Sequence, residues 1–538
     1  MMLSSRNASD SAVHASVVLT VLLVAPAFLS ALAILGPFAT AQTADWVIDK
    51  PGVTLDDQNK VMSNSIIVEK GGGLAIRNST VIFNLTKNAA AGILVQPGGT
   101  LEMFDSKVLS GNPANSPTFV SYGNLTIDNC DITGLWGHFE EGGGVLIQSG
   151  LVKITDSTFE NNKRQGLTVM GGGVTVRGST FKGNMEGVTV KTVSGLVIES
   201  SIFSGNTQDG ILGVAAGVTI KTSTFTDNNI AIGLSLTEAT IKGNTINRNR
   251  IGIDLAHVNY ATVESNKITG NTEVGIRTAS SSPVIKDNEL SGNAMAMNLT
   301  GGKVTLTGNN IVNNNNGVFA KGVTGDVGGN IIGGHPAYGL YIIGGNLNIL
   351  NNNYTPDNAR GRVAWAWKLN INVSKKGDSG PERVIGADIE VFDIDGKIEF
   401  SGVTNATGST RAIDIVERYI DNTGAEIDAN PHQLKASYKS LKAKKEFNMR
   451  ANMTAEVNLT KASSGAFPTS MVLLGAGVLV IGIAAGVYVH MKYGGAKDEE
   501  REPRIKREAS RRRHGRSRSL TTTAASRRRR VRGKKGRR

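Results

Sequence analysis

At 538 residues the chain is longer than one ordinary domain, and with aromatic residues at 5% any large core must be aliphatic. The net charge of +13 belongs to one end: residues 497–538 hold 19 Lys and Arg against 5 Asp and Glu, a net of +14, so everything before them sums to −1. A neutral body with a basic tail excludes the reading of a nucleic-acid-binding body that an isoelectric point near 9.6 invites. The first segment in chain order is Val17 to Phe38, apolar apart from Thr20 and Ser30, with Arg6 upstream and Ala39-Thr40-Ala41 behind it. It reads as a signal peptide over 1–41, an uncleaved anchor being the alternative.

A repeat dominates the body of the chain. Phe159, Phe181, Phe203 and Phe225 stand 22 apart, and Ile246, Ile268, Leu290 and Ile311 extend the series at 21 or 22. Three residues after each comes an asparagine: Asn162, Asn184, Asn206, Asn228, Asn249, Asn271, Asn293 and Asn314. Two residues before each comes Ser157, Ser179, Ser201 and Ser223, then Asn244, Asn266, Asn288 and Asn309. A glycine followed by an aliphatic residue forms a fourth register, as in Gly166-Leu167, Gly187-Val188 and Gly210-Ile211. A unit of this length with period-2 aliphatics, such as Val174-Thr175-Val176, cannot bury its apolar side chains alone. Stacked turn on turn at ~4.8 Å, every backbone group pairs with the turn above and below. The asparagines are expected to bond along the stack, and the glycines to give their bends positive φ.

These registers resemble the repeat of right-handed parallel β-helix proteins of the pectin-lyase-like and NosD-like group, carried as G-[VIL]-x-[VI]…[VI]-x-x-S/N-x-[FI]-x-x-N from 154 to 318. The lead-in from Trp46-Val47-Ile48 to Ile66-Ile67-Val68 is similar to the first coils of archaeal surface proteins of this kind. The resemblance implies an all-β chain: a β-helix over 42–357, about a dozen turns, then a small β-sandwich. Residues 358–461 carry the longer alternating pattern of Val363 to Ile371 with turns at Gly377, Asp395-Gly396 and Asn422-Thr423-Gly424, and resemble carboxypeptidase-regulatory-like or immunoglobulin-like stalk modules. Residues 462–468 read as a linker. The segment 469–491 contains 19 uninterrupted apolar residues from Met471 to Val489 and reads as a transmembrane helix, long enough for a hydrocarbon core of ~30 Å. The basic tail, 492–538, reads as disordered and cytoplasmic by the positive-inside rule, attracted to anionic lipid, with nucleic acid not expected as a partner. Gly482 and Gly486 form a G-x-x-x-G that permits a homodimer.

The resemblance also implies a groove outside the strand after the asparagine bend. The outward position there reads Thr168, Thr189, Leu212, Gly233, Asp254, Arg277, Asn298, Phe319 and Tyr341. One acid falls short of the carboxylate pair that glycoside hydrolysis needs, so Asp254 and Arg277 are weak catalytic candidates and read first as an ion pair between turns. Arg277, Asn298, Phe319 and Tyr341 in file suit a sugar chain. The repeat is lengthened between Ile132 and Phe159, where Trp136, His138 and Glu140 add ligand-binding candidates. Cys130 is the only cysteine, replaces a ladder serine and reads as packing. No metal and no cofactor is expected. Glycosylation candidates are Asn78, Asn84, Asn124, Asn298, Asn353, Asn372, Asn405, Asn452 and Asn458. The expected function is structural, adhesive or glycan-binding at the cell surface. The alternatives are a tethered polysaccharide lyase, hydrolase or epimerase, and a NosD-like accessory protein for a metal site.

Overall fold

The structure, a computed structural model, describes residues 44–138 and 142–461. The signal segment, the apolar span with Gly482 and Gly486, the basic tail and Glu140 lie outside the described residues. Every regular element that is described is a β-strand, and among the described residues no helix is long and apolar enough to cross a membrane.

Trp46 to Leu350 wind into a parallel β-solenoid of about 14 turns. Each turn visits three sheets in order, as Glu186–Lys191, Ser194–Glu199 and Ile202–Ser204 do in one turn. The second and third sheets hold 14 and 13 strands. The sequence reading of about a dozen turns undercounts because Trp46 to Met62 already form a complete first turn, with Trp46 paired to Ile66 and Val53 to Leu74, although they carry none of the ladder residues.

The apolar registers meet inside. Phe159, Phe181, Phe203 and Phe225 occupy one column of the third sheet, wholly buried, and their rings stack at 4.9, 5.0 and 4.7 Å between centroids. Ile246, Ile268, Leu290, Ile311 and Ile332 continue the column. At the bend after it, the backbone N–H of Asn184 donates to Oδ1 of Asn206 at 3.1 Å and its amide to Phe159 O at 2.9 Å, and the same pair of bonds recurs turn after turn. Ser157, Ser179, Ser201 and Ser223 build a second ladder that passes to Asn244, Asn266, Asn288, Asn309 and Asn330. Cys130 stands in that ladder: its amide donates to Ser157 Oγ at 3.0 Å, and burial pushes its thiol up to about 11.

The glycine register works differently from the expectation. Gly187 and Gly210 have no left-handed φ; a Cβ on either would stand 2.5 or 2.6 Å from a carbonyl oxygen of the next turn and 2.8 or 3.0 Å from a phenylalanine ring. Close approach, not backbone freedom, selects them. Positive φ falls instead on other bends of the repeat, at glycines such as Gly178, Gly183 and Gly205 and at Asp156, Asn161, Ser200 and Thr222. Although Ala231 stands in the same column fully buried, a Cβ at Gly210 meets a backbone carbonyl, so Gly210→Ala should cost about 1–3 kcal/mol and Gly210→Val more than that by overpacking; urea denaturation of the two variants checks the order.

The last solenoid strand of the first sheet, Tyr338–Ile343, pairs in parallel with the start of a 17-residue strand, Gly361–Gly377. That strand continues beyond the solenoid, pairing antiparallel with Ile413–Ile420 and in parallel with Met453–Lys461. Asp388–Phe392, Ile398–Val403, His432–Tyr438 and Leu441–Phe447 form further antiparallel pairs. Leu369, Ile371, Val391, Ile415, Leu434 and Val457 bury a second core between them.

Candidate functional site

The first sheet brings the outward stripe into file. Thr168, Thr189, Leu212, Gly233, Asp254, Arg277, Asn298, Phe319 and Tyr341 pair one with the next along successive turns. Both ends of the file are covered. At one end the lengthened repeat forms a small hairpin, Gly137–His138 against Gly142–Gly143, and lies on the sheet: Gly143 N donates to Thr168 Oγ1 at 3.1 Å, and Thr168 Oγ1 donates to Gly143 O at 2.8 Å. A Cβ on Gly142 would stand 2.6 Å from the Thr168 side chain, so only glycine permits that contact. Trp136, half-buried, is held through its N–H to Pro117 O at 2.8 Å and its carbonyl, which accepts from Gly144 N at 3.1 Å. The side chain of His138 lies outside what is described.

At the other end Phe319 and Tyr341 stack at 6.1 Å and pack, with Tyr338 and Tyr419, against Ala364, Ala366 and Val416 of the strands beyond the solenoid. These aromatics join the two parts of the fold, half-buried in that joint. Between the covers, the floor from Thr189 to Asn298 runs five turns, about 24 Å at ~4.8 Å per turn.

The chemistry beside this file comes from a second column that the stripe does not include. It consists of the residue before each glycine or alanine of the repeat: Gln165, Glu186, Asp209, then Ile230, Ile251 and Val274. Gln165 Nε2 donates to Glu186 Oε2 at 2.7 Å, and Thr189 Oγ1 donates to the same oxygen at 2.5 Å. Gln165, Glu186 and Asp209 are 6, 5 and 8% exposed. The Asp209 carboxyl is pushed up to about 7 by its own burial and by the negative charges of Glu186 and Asp254, against which Arg250 acts weakly. Gly233 lies beside it, where a Cβ would make only an ordinary contact of 3.6 Å with Asp209 Oδ1. Asp254 is bound by Arg277 through two bonds, Nε to Oδ1 at 2.8 Å and Nη2 to Oδ2 at 2.5 Å, and that carboxylate holds the guanidinium above its ordinary range. Arg250 pairs with Glu273 and with Asn229.

Sequence reasoning passed over Glu186 and Asp209 because their register turns apolar after three turns. The signal was present: Gln165, Glu186 and Asp209 precede the glycine in three consecutive repeats, at a position where the next three are Ile, Ile and Val.

Since Asp209 binds its proton more tightly folded than unfolded, its contribution to stability is full below pH about 4 and is lost as pH rises through about 7. Asp209→Asn should therefore be more stable than the parent at pH 8, with the difference vanishing at pH 4. Denaturant midpoints across that range check the sign.

A family model described as periplasmic copper-binding protein (NosD) matches residues 95–273 and 234–368, together about half of the chain. The chain belongs to the NosD family. No curated protein matches it. Among solved structures, this NosD-family chain is similar to the periplasmic alginate epimerase AlgG at 16% identity, with 55% of this chain and 78% of that one covered and a TM-score of 0.43. It is also similar to PfbA, a surface adhesin of Streptococcus pneumoniae, at 11% identity with 66 and 92% covered and a TM-score of 0.27. A third is the tailspike protein of E. coli bacteriophage HK620, at 10% identity with 75 and 84% covered and a TM-score of 0.29.

Copper, which the family description carries, finds no fitting donor set among the described residues. Among the described residues no group of three or more His, Cys, Asp and Glu is arranged to hold a metal ion. The Cys130 thiol is buried and given to Asp128 O, His335 is buried against Asn314 O, and His432 is buried against Asn430. Of the candidate glycosylation asparagines, Asn298 and Asn372 are half-buried on their strands, and Asn78, Asn84, Asn124, Asn353, Asn405, Asn452 and Asn458 are exposed.

Proposed function

We propose that the chain is a surface protein, exported by its first 41 residues and anchored by 469–491, whose solenoid binds a carbohydrate chain along the outward file of the first sheet. The observation that supports this reading is the file of polar residues on the first sheet, covered at both ends. Five turns of floor lie between a hairpin at one end and an aromatic joint at the other, with amide, hydroxyl, carboxylate and guanidinium groups along it. The Arg277–Asp254 pair stands toward the middle of that floor and Asn298 at its far end. The strands of 358–461 serve as a sandwich stalk, the exposed sequons carry glycans in the outer compartment, the tail meets anionic lipid inside, and Gly482 with Gly486 pairs two spans. A glycan array probed with the full-length chain tests the reading. Binding that Arg277→Ala weakens at least tenfold is expected; no binding to any carbohydrate sinks it.

A second reading, a polysaccharide-cleaving enzyme, is favoured by one observation: Asp209, with its carboxyl near 7, stands beside Glu186. A carboxylic acid that keeps its proton beside a second carboxyl group is what glycoside hydrolysis requires. Adjacent turns place their strands ~4.8 Å apart, so the two groups can face one bond. Turnover of a bound oligosaccharide, lost in Asp209→Asn with binding retained, would establish it.

A further inference from the structure

We propose that the end of the C-terminal sheets at which the chain leaves the described fold rests on a lipid surface of anionic headgroups. The proposal rests on the export and anchoring part of the reading above and not on its carbohydrate part. It adds a membrane contact outside both the apolar segment and the basic tail.

Two hairpin tips and the exit of the chain meet at this end. Gly361–Gly377 and Met453–Lys461 run parallel, with Lys375 beside Leu459, so both arrive there at their C-termini. The first of them turns back through Asp378 and Ser379, with Gly377 opposite Gly380. His432–Tyr438 and Leu441–Phe447 turn through Lys439 and Ser440, with Tyr438 opposite Leu441. Leu441 in turn lies opposite Lys461, the last described residue.

This end is basic. Lys375, Lys376, Lys439, Lys442 and Lys461 stand on it against Asp378 and Glu382, +5 against −2, a net of +3. Lys375 pairs with Glu382 at 3.2 Å. Lys376, Lys439, Lys442 and Lys461 are exposed and meet no carboxylate among the described residues. The patch continues up the second hairpin, where Lys444 stands outward two residues after Lys442 and directly opposite Lys435. Like charges opposed across a strand pair weaken it, and Lys435 is accommodated over the Phe392 ring at 4.0 Å. The solenoid handles its cations differently, pairing Arg177 with Glu199, Lys242 with Glu264 and Lys267 with Glu289 on neighbouring turns. An anionic surface supplies the counter-charge that the fold withholds at this end. A second copy of the chain would offer it only the same positive charge.

The sequence puts such a surface within reach. Nine residues separate Lys461 from Met471, the first of the 19 apolar residues, and a chain of that length spans at most about 30 Å. Attraction between exposed charges is screened within about 8 Å at physiological salt. The connection therefore permits contact without enforcing it, and each lysine brought near anionic headgroups favours the contact.

The test places the full-length chain in nanodiscs of phosphatidylcholine alone and of an equal mixture with phosphatidylglycerol, and follows hydrogen exchange at 375–380 and 437–443. Exchange at both tips should be about fivefold or more slower in the anionic discs, with the difference fading in high salt and the solenoid turns around 181–225 unchanged. Lys376→Gln, Lys439→Gln and Lys442→Gln together should abolish the difference. The basic tail is untouched in that variant, so its own attraction to lipid does not enter the comparison. Lys439→Gln alone should reduce the difference at 437–443 and keeps the test open if the triple variant does not fold. Equal exchange in both lipids, in a chain that stays in the discs, overturns this inference and leaves the anchoring standing. A difference that the folded triple variant retains overturns it as well. A chain that alkaline washing strips from the bilayer overturns the anchoring reading and this inference with it.

Discussion

Phe203→Ala is expected to destabilise the solenoid by about 3–5 kcal/mol, the usual cost of emptying a buried phenylalanine site. Two further contacts are lost, because the Phe203 ring is stacked on both faces, at 5.0 Å on Phe181 and 4.7 Å on Phe225; each is worth ~0.5–1.5 kcal/mol beyond its buried area. Phe203→Leu should cost far less, since Ile246 takes over the same column one turn after Phe225. A cycle with Phe181→Ala should return a coupling of ~0.5–1.5 kcal/mol. Solenoids need not unfold in one step, so the measurement should be hydrogen exchange of the turns around 181–225 beside a denaturant midpoint. An alanine variant with unchanged protection in those turns would show that the column is not closed packing.

Asn228→Ala should be of the same order, about 3–5 kcal/mol, for a different reason. The Asn228 amide donates to Phe203 O at 3.0 Å, Thr226 O at 3.1 Å and Asn249 Oδ1 at 3.0 Å, and its Oδ1 accepts the backbone N–H of Asn206 at 3.1 Å. The residue is 3% exposed, so water does not readily replace these partners. Truncation strands a buried N–H and a buried carbonyl on neighbouring turns, at ~1–3 kcal/mol each. Asn315→Ala, an exposed asparagine one residue past the ladder, should stay within about 0.5 kcal/mol. Equal effects at the two positions would mean that the ladder bonds contribute nothing beyond an ordinary bend.

The parallel stack and the order of its columns were legible because a stack repeats residue type at fixed spacing: Phe over Phe and Asn over Asn are cheap to satisfy and easy to see. Features that depend on contact between distant turns were not legible. The glycines before Leu167, Val188 and Ile211 look alike whether they serve φ or clearance, and only the carbonyl of the next turn decides for clearance. The turn formed by 46–62 shows in the sequence only as a lead-in of aliphatic alternation, without the serine, asparagine or phenylalanine columns by which the later turns are counted. The outward stripe was identified residue by residue, but its exposure was not. Thr168 is sealed by a hairpin folded back over it, and Phe319 and Tyr341 are met by Tyr419, 78 residues or more further along the chain. Glu186 and Asp209 were lost for a related reason. A register that is polar for three turns and apolar afterwards gives no period to detect, though it places two acids side by side.

The strand Gly361–Gly377 belongs to the solenoid at its beginning and to the C-terminal sheets at its end, and this has a mechanical consequence. Its parallel neighbour, Met453–Lys461, is the last described strand, so tension applied to the chain beyond Lys461 pulls that strand toward its C-terminal end. The solenoid holds Gly361–Gly377 by the opposite, N-terminal end. The pair from Leu369 to Lys375 and from Met453 to Leu459 is therefore loaded along the strands, in shear, so that its hydrogen bonds share the force instead of parting one at a time.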